Sequence, residues 1–311
     1  MIYIMNGHTA TWRGCARAAG VLLLLALFQG CSREPGGAPT IVATIPPLKM
    51  ILQEIVGEGA TVACILPPGA SPHTFELRPS VARALAEAPA VFHVDETIDG
   101  WVARLAPGRV HSVFALLPEE DRLPYETAHC VEDEVHDHEA EPGAWNAHFW
   151  LDPVAVQSVL PGIVEILSRL NPENAETYRA NADRFSETLD ALNREFDAAR
   201  PKGAEYTLAA FHPSWTYFFH RYGIVVSAHI EPFPGREPTP QTLETIRNVL
   251  ARSDHRIILS EVQLPGKPAE VLAEMLGTRV TVVDPLGGSP GQDTYAAFMR
   301  TNANLLWEAF Q

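Results

Sequence analysis

The chain has 311 residues, of which 23 are basic and 38 are acidic, so its formal net charge is −15. A balance this acidic argues against a nucleic-acid-binding protein and is compatible with a cationic ligand. The length is sufficient for two lobes that each bury a core of their own.

The first thirty residues have the pattern of an export signal. Arg13 and Arg17 precede the apolar run AAGVLLLLALF, which is too short to span a bilayer comfortably, and QGCS follows it. Because a small residue before a cysteine is what lipoprotein processing needs, we expect a lipid on Cys31, with cleavage of an ordinary secretory signal as the alternative. In both cases the protein works outside the cytoplasm, and residues 31–39 form a flexible tether.

Two cysteines, Cys64 and Cys130, lie beyond the leader and Cys31. In an oxidising compartment they could form a disulfide. Cys64 lies in the apolar run TVACIL, however, where a buried free thiol is the favoured interpretation. The sequence leaves both alternatives open.

Strand-like and helix-like apolar patterns alternate along the rest of the chain. In the first half they are strand TIVATI, helix PLKMILQEIVG, strand TVACIL, helix PSVARALAEA, strand AVFHV and helix IDGWVARLA. In the second half they are strand YTLAAF, helix PSWTYFFHRYG, strand IVVSAHI, helix TPQTLETIRNVLARS, strand RIILSEV, helix KPAEVLAEMLG, strand RVTVVD and a helix from about Gln292. Such alternation predicts parallel sheets, and hence two α/β lobes at residues 40–170 and 201–311.

One long helix is predicted between the lobes, over residues 171–200. Its apolar residues recur every three or four positions, Asn171 is placed to cap it and Pro172 to begin it. A coiled-coil partner helix would also explain this pattern. We favour a rigid linking helix that packs along both lobes, because the chain has only one such segment.

Four residues that can bind a metal lie in loops or at strand ends. His73 follows the strand TVACIL, His148 precedes a helix start in AHFWLDP, His212 ends the strand YTLAAF, and Asp284 ends the strand RVTVVD. Parallel sheets present their ligands at the carboxyl ends of the strands. A crevice between the lobes could therefore collect all four residues.

Three imidazoles and one carboxylate form a complete tetrahedral set for Zn²⁺. Mn²⁺ or Fe²⁺ could use the same residues, particularly if the carboxylate binds through both oxygens. Because coordination requires neutral imidazoles, we expect metal affinity to fall as the pH drops through the histidine range.

At this point the chain resembles a known family, the metal-binding solute-binding proteins of ABC transporters for zinc and manganese, the cluster A-I group. The segments that carry the resemblance are PHTFELRPS, HFWLDP, NPENAETYRANADRF, FHPSW, REPTPQTLETI, LSEVQLPGKPAEVLAEMLG, VDPLG and YAAFMRTNANLL. They occur in the family's order and cover essentially all of residues 40–311.

The resemblance implies two α/β lobes joined by one rigid helix, with a metal in the cleft held by His73, His148, His212 and Asp284. It implies a monomeric periplasmic or cell-envelope protein that passes Zn²⁺ to a membrane permease with an ATPase subunit. The alternatives are a Mn²⁺ or Fe²⁺ carrier of the same family and, from another class, a zinc-dependent hydrolase, which needs an open coordination position.

Two further features qualify this picture. Glu237 resembles a position near the family's site and is expected either to accept an imidazole N–H or to be an exposed loop acid. The pair Pro161-Gly162 interrupts a segment that is usually an unbroken helix in the family, and we expect it to kink the helix that follows His148.

The stretch from residue 128 to 144 is acidic, has no apolar period and is predicted to be a loop. Its histidines His129, His136 and His138 could bind a second cation weakly, or the loop could be only a solvated charged segment. Zinc-specific members of the resembled family carry a loop of this type, which favours zinc over manganese.

Overall fold

The computed structural model describes residues 40–76, 81–82, 85, 87–103, 107–125, 144–203 and 205–311. The predicted leader, the tether and all but the last residue of the acidic loop lie outside these residues. Several predictions therefore have no structural counterpart, namely those on Cys31, Cys130, His129, His136, His138 and much of the helix PSVARALAEA.

Eight strands and eight α-helices have both of their ends within the described residues. The strands are β1 Thr40–Ala43, β2 Thr61–Cys64, β3 Val91–His93, β4 Val110–Ser112, β5 Thr207–Ala210, β6 Ala228–His229, β7 Arg256–Glu261 and β8 Val280–Val283. The helices are α1 Pro46–Val56, α2 Glu96–Asp99, α3 Pro153–Leu170, α4 Ala175–Ala199, α5 Thr216–Tyr222, α6 Pro240–Leu250, α7 Lys267–Leu276 and α8 Tyr295–Ala309.

The strands form two four-stranded sheets of the same topology. Their orders are β2-β1-β3-β4 and β6-β5-β7-β8, and every pair is parallel. The predicted fold class, two parallel-sheet α/β lobes with a long helix between them, is confirmed. The sequence analysis missed β4, because Val110–Ser112 is too short to show a period.

Apolar strands and helices build a core that is continuous between the sheets. Its largest cluster contains Phe92 of the first sheet and Leu259 of the second, joined through Phe185 and Leu189 of α4. Since parallel strands are covered on both faces, their sequences are apolar runs without alternation.

The long helix α4 has 25 residues, about 37 Å at 1.5 Å per residue. Its buried face carries the residues that the periodicity selected, Tyr178, Ala182, Phe185, Leu189, Leu192 and Phe196. This face packs on α1, α3 and α8 of the same chain, so no partner helix is needed to explain the pattern. Asn171 precedes a 3₁₀ turn at 172–174 but makes no side-chain cap bond there.

Helix α3 is continuous through Pro161, and the kink expected there stays a prediction. Gly162 packs closely on Leu116, because a Cβ at this position would lie 2.9 Å from the Leu116 side chain, which would have to shift. In the described part of the chain, α3 is the one helix long and apolar enough to cross a membrane, yet half of it is buried. Its apolar residues belong to the core.

Several helix ends carry residues that commonly cap helices. Asp152 caps α3 by accepting from Val154 N–H, and Thr239 caps α6 by accepting from Thr242 N–H. Gly223 and Gly277 end α5 and α7 in the left-handed conformation. The predicted strand IVVSAHI is shorter in the structure, where only the two-residue β6 forms. The described part of IDGWVARLA contains the end of α2 and one 3₁₀ turn.

Candidate metal centre

Three of the predicted ligands meet in one crevice. His73 lies in a 3₁₀ turn after β2, His148 directly precedes the 3₁₀ turn that leads into α3, and His212 follows β5 and precedes Pro213. One ring nitrogen from each lies within 4.8 Å of the others. The ring centroids are 5.2 to 5.6 Å apart.

The space between these imidazoles is small. The cavity holds about 20 Å³ and is also lined by Trp150, Glu261, Gln263 and Leu264, among others. This volume suffices for roughly one water-sized species. The space between the imidazoles therefore suits a single ion.

A neighbouring amide orients His148. Asn146 Oδ1 accepts from the His148 backbone N–H at 2.9 Å and lies 2.8 Å from His148 Nδ1. Because an amide oxygen can only accept, Nδ1 carries the proton and Nε2 keeps its lone pair for a metal. Asn146 Nδ2 donates to the Pro213 carbonyl at 2.7 Å, so the same side chain fixes the segment that carries His212.

A buried carboxylate orients His212. His212 Nδ1 lies 2.8 Å from Glu261 Oε1, which also accepts from the Ser214 hydroxyl at 2.7 Å. His212 Nε2 is buried and has no hydrogen-bond partner in the described part of the chain. A buried nitrogen without a partner costs stability unless a ligand binds it, and a carboxylate behind the ring increases its basicity.

Burial keeps two of these imidazoles neutral. It lowers the pKa of His73 to about 3, with a smaller contribution from His212. It also lowers the pKa of His148 well below its ordinary value, assisted by His212 and His73. Protons therefore compete for His73 only far below the ordinary histidine range, so the expected loss of affinity through that range does not extend to this ligand.

Asp284 is buried at the carboxyl end of β8 but is not one of the residues whose ligand atoms lie within 4.8 Å. Its Oδ1 accepts from Gln263 Nε2 at 2.7 Å, Gly287 N–H at 2.8 Å and Leu286 N–H at 3.1 Å. The next two residues, Pro285 and Leu286, do line the cavity. Its role as the fourth ligand stays a prediction.

Glu237 lies in an exposed loop, which is one of the two interpretations left open for it. Asn146 and Glu261 are the residues that the sequence analysis missed. Glu261 had a usable signal, because it is a charged residue at the carboxyl end of the apolar strand RIILSE. The sequence signal for Asn146 was weaker, because it consisted only of the residue's position two places before His148.

Hydrogen bonds across the crevice hold the loops of the two lobes together. Trp150 Nε1 donates to the Pro285 carbonyl at 2.8 Å, and the Tyr295 hydroxyl donates to the Trp150 carbonyl at 2.8 Å. Arg221 binds both carboxylate oxygens of Asp152, the cap of α3. The segment that presents His148 is thus fixed to the second lobe at several points.

Comparisons with known proteins agree with this geometry. Residues 41–309 match the family described as the periplasmic component A of zinc-uptake complexes, ZnuA. The chain is 30% identical over 296 residues, 94% of this chain and 99% of the other, to a Thermotoga maritima protein whose name refers to metal binding without naming an ion. It is 28% identical to the high-affinity zinc uptake system protein ZnuA of Paracoccus denitrificans, covering 89% of this chain and 94% of the other.

A crystal structure of a ZnuA protein superposes on the fold with a TM-score of 0.75 at 26% identity, covering 88% of this chain and 100% of the other. The match to the family extends over both sheets, the long helix and all four predicted ligands. The chain therefore belongs to the ZnuA family, the extracytoplasmic solute-binding components of zinc-uptake transport systems.

Proposed function

We propose that this protein captures Zn²⁺ outside the cytoplasm and delivers it to the permease of an ABC transporter driven by a cytoplasmic ATPase. The observation that carries the proposal is the meeting of His73, His148 and His212 around a cavity of single-ion size. The names of the relatives that mention zinc uptake support zinc as the cargo.

The proposed ligands are the three histidines and Asp284. In a tetrahedral site with Zn–N bonds of about 2.0–2.1 Å, neighbouring nitrogens are about 3.4 Å apart. The imidazole nitrogens already lie within 4.8 Å of one another, so capture requires shifts of an ångström or two. Asp284 would supply the negative oxygen, which the three neutral imidazoles lack.

Capture is favoured over catalysis by the completeness of this set. A zinc hydrolase needs an open coordination position, a bound water and a general base beside it. Four protein ligands would fill the tetrahedron and leave no position for an activated water. A Mn²⁺ or Fe²⁺ carrier of the same fold is the second candidate, because both ions can use imidazole and carboxylate ligands.

The proposal has three further parts, which concern the membrane anchor, the oligomeric state and the acidic loop. Cys31 carries a lipid that anchors the protein to the membrane, and the protein acts as a monomer. The loop histidines His129, His136 and His138 collect zinc near the crevice without holding it tightly, because ordering a loop opposes binding.

The test is a competitive chelator titration of the purified protein with Zn²⁺ and Mn²⁺, with and without residues 129–139. We expect one tight zinc site, with an affinity for Zn²⁺ that exceeds that for Mn²⁺ by at least about a hundredfold. Deletion of residues 129–139 is expected to remove only weaker additional binding. Tighter binding of Mn²⁺ than of Zn²⁺ would establish the second candidate, and zinc-dependent ester hydrolysis by the protein would contradict a pure carrier.

A further inference from the structure

The side chain of Asn146 uses every hydrogen bond that an amide can make. Its Oδ1 accepts from the backbone N–H of His148 at 2.9 Å and faces His148 Nδ1 at 2.8 Å. Its Nδ2 donates to the Pro213 carbonyl at 2.7 Å and to the Thr216 hydroxyl at 3.1 Å. Since an amide has two acceptor positions and two N–H groups, this fully buried side chain is completely bonded.

Two backbone groups fix the direction in which this amide points. The backbone N–H of His148 can only donate, and Pro213, which has no N–H, can only accept through its carbonyl. Turning the amide over would place donor against donor on one side and acceptor against acceptor on the other. The amide oxygen therefore faces His148, and the nitrogen faces the residue that directly follows His212.

These bonds join two metal ligands that come from different lobes. The rings of His148 and His212 are almost completely buried, and their centroids are 5.2 Å apart. Asn146 holds the Pro213 carbonyl and with it the backbone of His212, whose ring is held by Glu261 at 2.8 Å. The relative position of the two imidazoles is thus fixed by the protein itself.

The segment that carries His148 is bound to the second lobe on both of its sides. Before His148, the Tyr125 hydroxyl donates to the Pro232 carbonyl at 2.6 Å. After it, the Trp150 indole N–H donates to the Pro285 carbonyl at 2.8 Å. Although His148 belongs to the first lobe by its place in the chain, its position is therefore set by the second lobe.

The turn that carries His73 is held differently. Within the described part of the chain, no hydrogen bond joins residues 67–76 to the second lobe. Its packing partners are apolar, as in the contact of Phe75 with Trp101, whose ring centroids are 5.2 Å apart. His73 is also more exposed than the other two histidines. Of the three imidazoles, that of His73 is the one whose position depends least on the second lobe.

We propose that Asn146 is a positioning residue that couples His148 to His212, so that an ion meets these two imidazoles as a preformed pair and His73 completes the site. This inference rests on the proposed function, since it assumes that the three imidazoles bind the captured ion. Because a preformed pair loses little conformational freedom on binding, part of the zinc affinity depends on an amide that does not touch the ion.

The test is Asn146→Ala, made in the wild type and in the His73→Ala and His148→Ala proteins. The zinc dissociation constant of each is measured by competition with a chelator. In the wild type we expect a loss of at least about tenfold, the usual cost of removing an outer partner of a metal ligand. The same loss is expected in His73→Ala, because the pair does not depend on His73. In His148→Ala a loss of about two- to tenfold should remain, the worth of the bond to Pro213 that holds His212.

A second variant and a control separate this role from general stability. Thr216→Val keeps the shape of the side chain but removes the hydroxyl that accepts from Asn146, and should weaken zinc binding by about two- to tenfold. The matched control is Asn181→Ala, which removes a buried amide that joins α4 to the Ile55 carbonyl of α1 at 2.8 Å. We expect this control to bind zinc like the wild type.

Nitrogen NMR of the metal-free protein supplies a signature that a loss of stability would not give. The ring proton of His148 should leave Nδ1 in Asn146→Ala and remain there in Asn181→Ala. Wild-type zinc affinity in folded Asn146→Ala or Thr216→Val protein, or an unchanged His148 proton in Asn146→Ala, would overturn the inference. A loss that disappears in His148→Ala would also overturn it, because the amide would then serve His148 alone, and so would one that disappears in His73→Ala. Failure of the wild type to bind Zn²⁺ at all would instead overturn the proposed function.

Discussion

Replacing His212 with alanine is expected to weaken zinc binding by at least about a hundredfold, because loss of even an outer partner of a metal ligand typically costs ten- to a hundredfold. His212 Nε2 is a buried nitrogen without a partner, and its ring is fixed by Glu261. The substitution removes one of the three imidazoles that meet in the crevice. The loss would be measured as the zinc dissociation constant in a competitive chelator titration.

The matched control is His220→Ala, which removes an exposed imidazole from α5 a few residues further along the same lobe. We expect this variant to bind zinc like the wild type. A His212→Ala protein that is folded by circular dichroism and keeps near-wild-type affinity would remove His212 from the ligand set. The unpartnered Nε2 of His212 in the wild type would then have no explanation.

The metal-free protein is expected to become less stable as the pH falls from 7 to 5.5. Burial lowers the pKa of His73 and of His229 to about 3 each, and lowers that of His148 well below its ordinary value. In the unfolded chain these groups titrate near 6.5. Between the two values the unfolded chain binds protons that the native protein does not, so the free energy of unfolding rises with pH.

Below its unfolded pKa, each such histidine lowers the free energy of unfolding by up to about 1.4 kcal/mol for each pH unit of acidification. The three together lower it by up to about 4 kcal/mol per pH unit. Burial raises the carboxyl pKa values of Asp152 and Glu231, which act in the opposite sense at lower pH. The measurement is therefore urea unfolding in the presence of a chelator between pH 5.5 and 7. His73→Gln should reduce the slope by about a quarter to a third, because burial also lowers the pKa of the half-buried His111 and four histidines therefore contribute. A stability that does not change over this range would contradict burial of neutral imidazoles.

Most of the fold followed from local patterns. The two sheets, the linking helix and the caps at Asp152 and Thr239 depend on period, proline and glycine, which the sequence displays directly. The positions of His73 and His212 followed from the rule that loops at the carboxyl ends of parallel strands carry ligands. His148 was selected by its position directly before a helix start. The structure brings all three together.

What the sequence could not predict are contacts between side chains far apart along the chain. Glu261 meets His212 from 49 positions away, and Asn146 reaches the Pro213 carbonyl from 67 positions away. No periodicity encodes such pairs. The first depends on β5 and β7 lying side by side in the second sheet, and the second depends on how the two lobes pack. Glu237 was selected by resemblance and lies in an exposed loop, while Glu261 accepts from His212 instead.

The most direct test of the central claim is anomalous diffraction at the zinc edge from crystals grown with one equivalent of Zn²⁺. We expect one strong peak in the crevice, at about 2.0–2.1 Å from a nitrogen of His73, His148 and His212. A single oxygen of Asp284 should complete the tetrahedron. A principal peak on the acidic loop, or a zinc ion bound by fewer than these three histidines, would contradict the account.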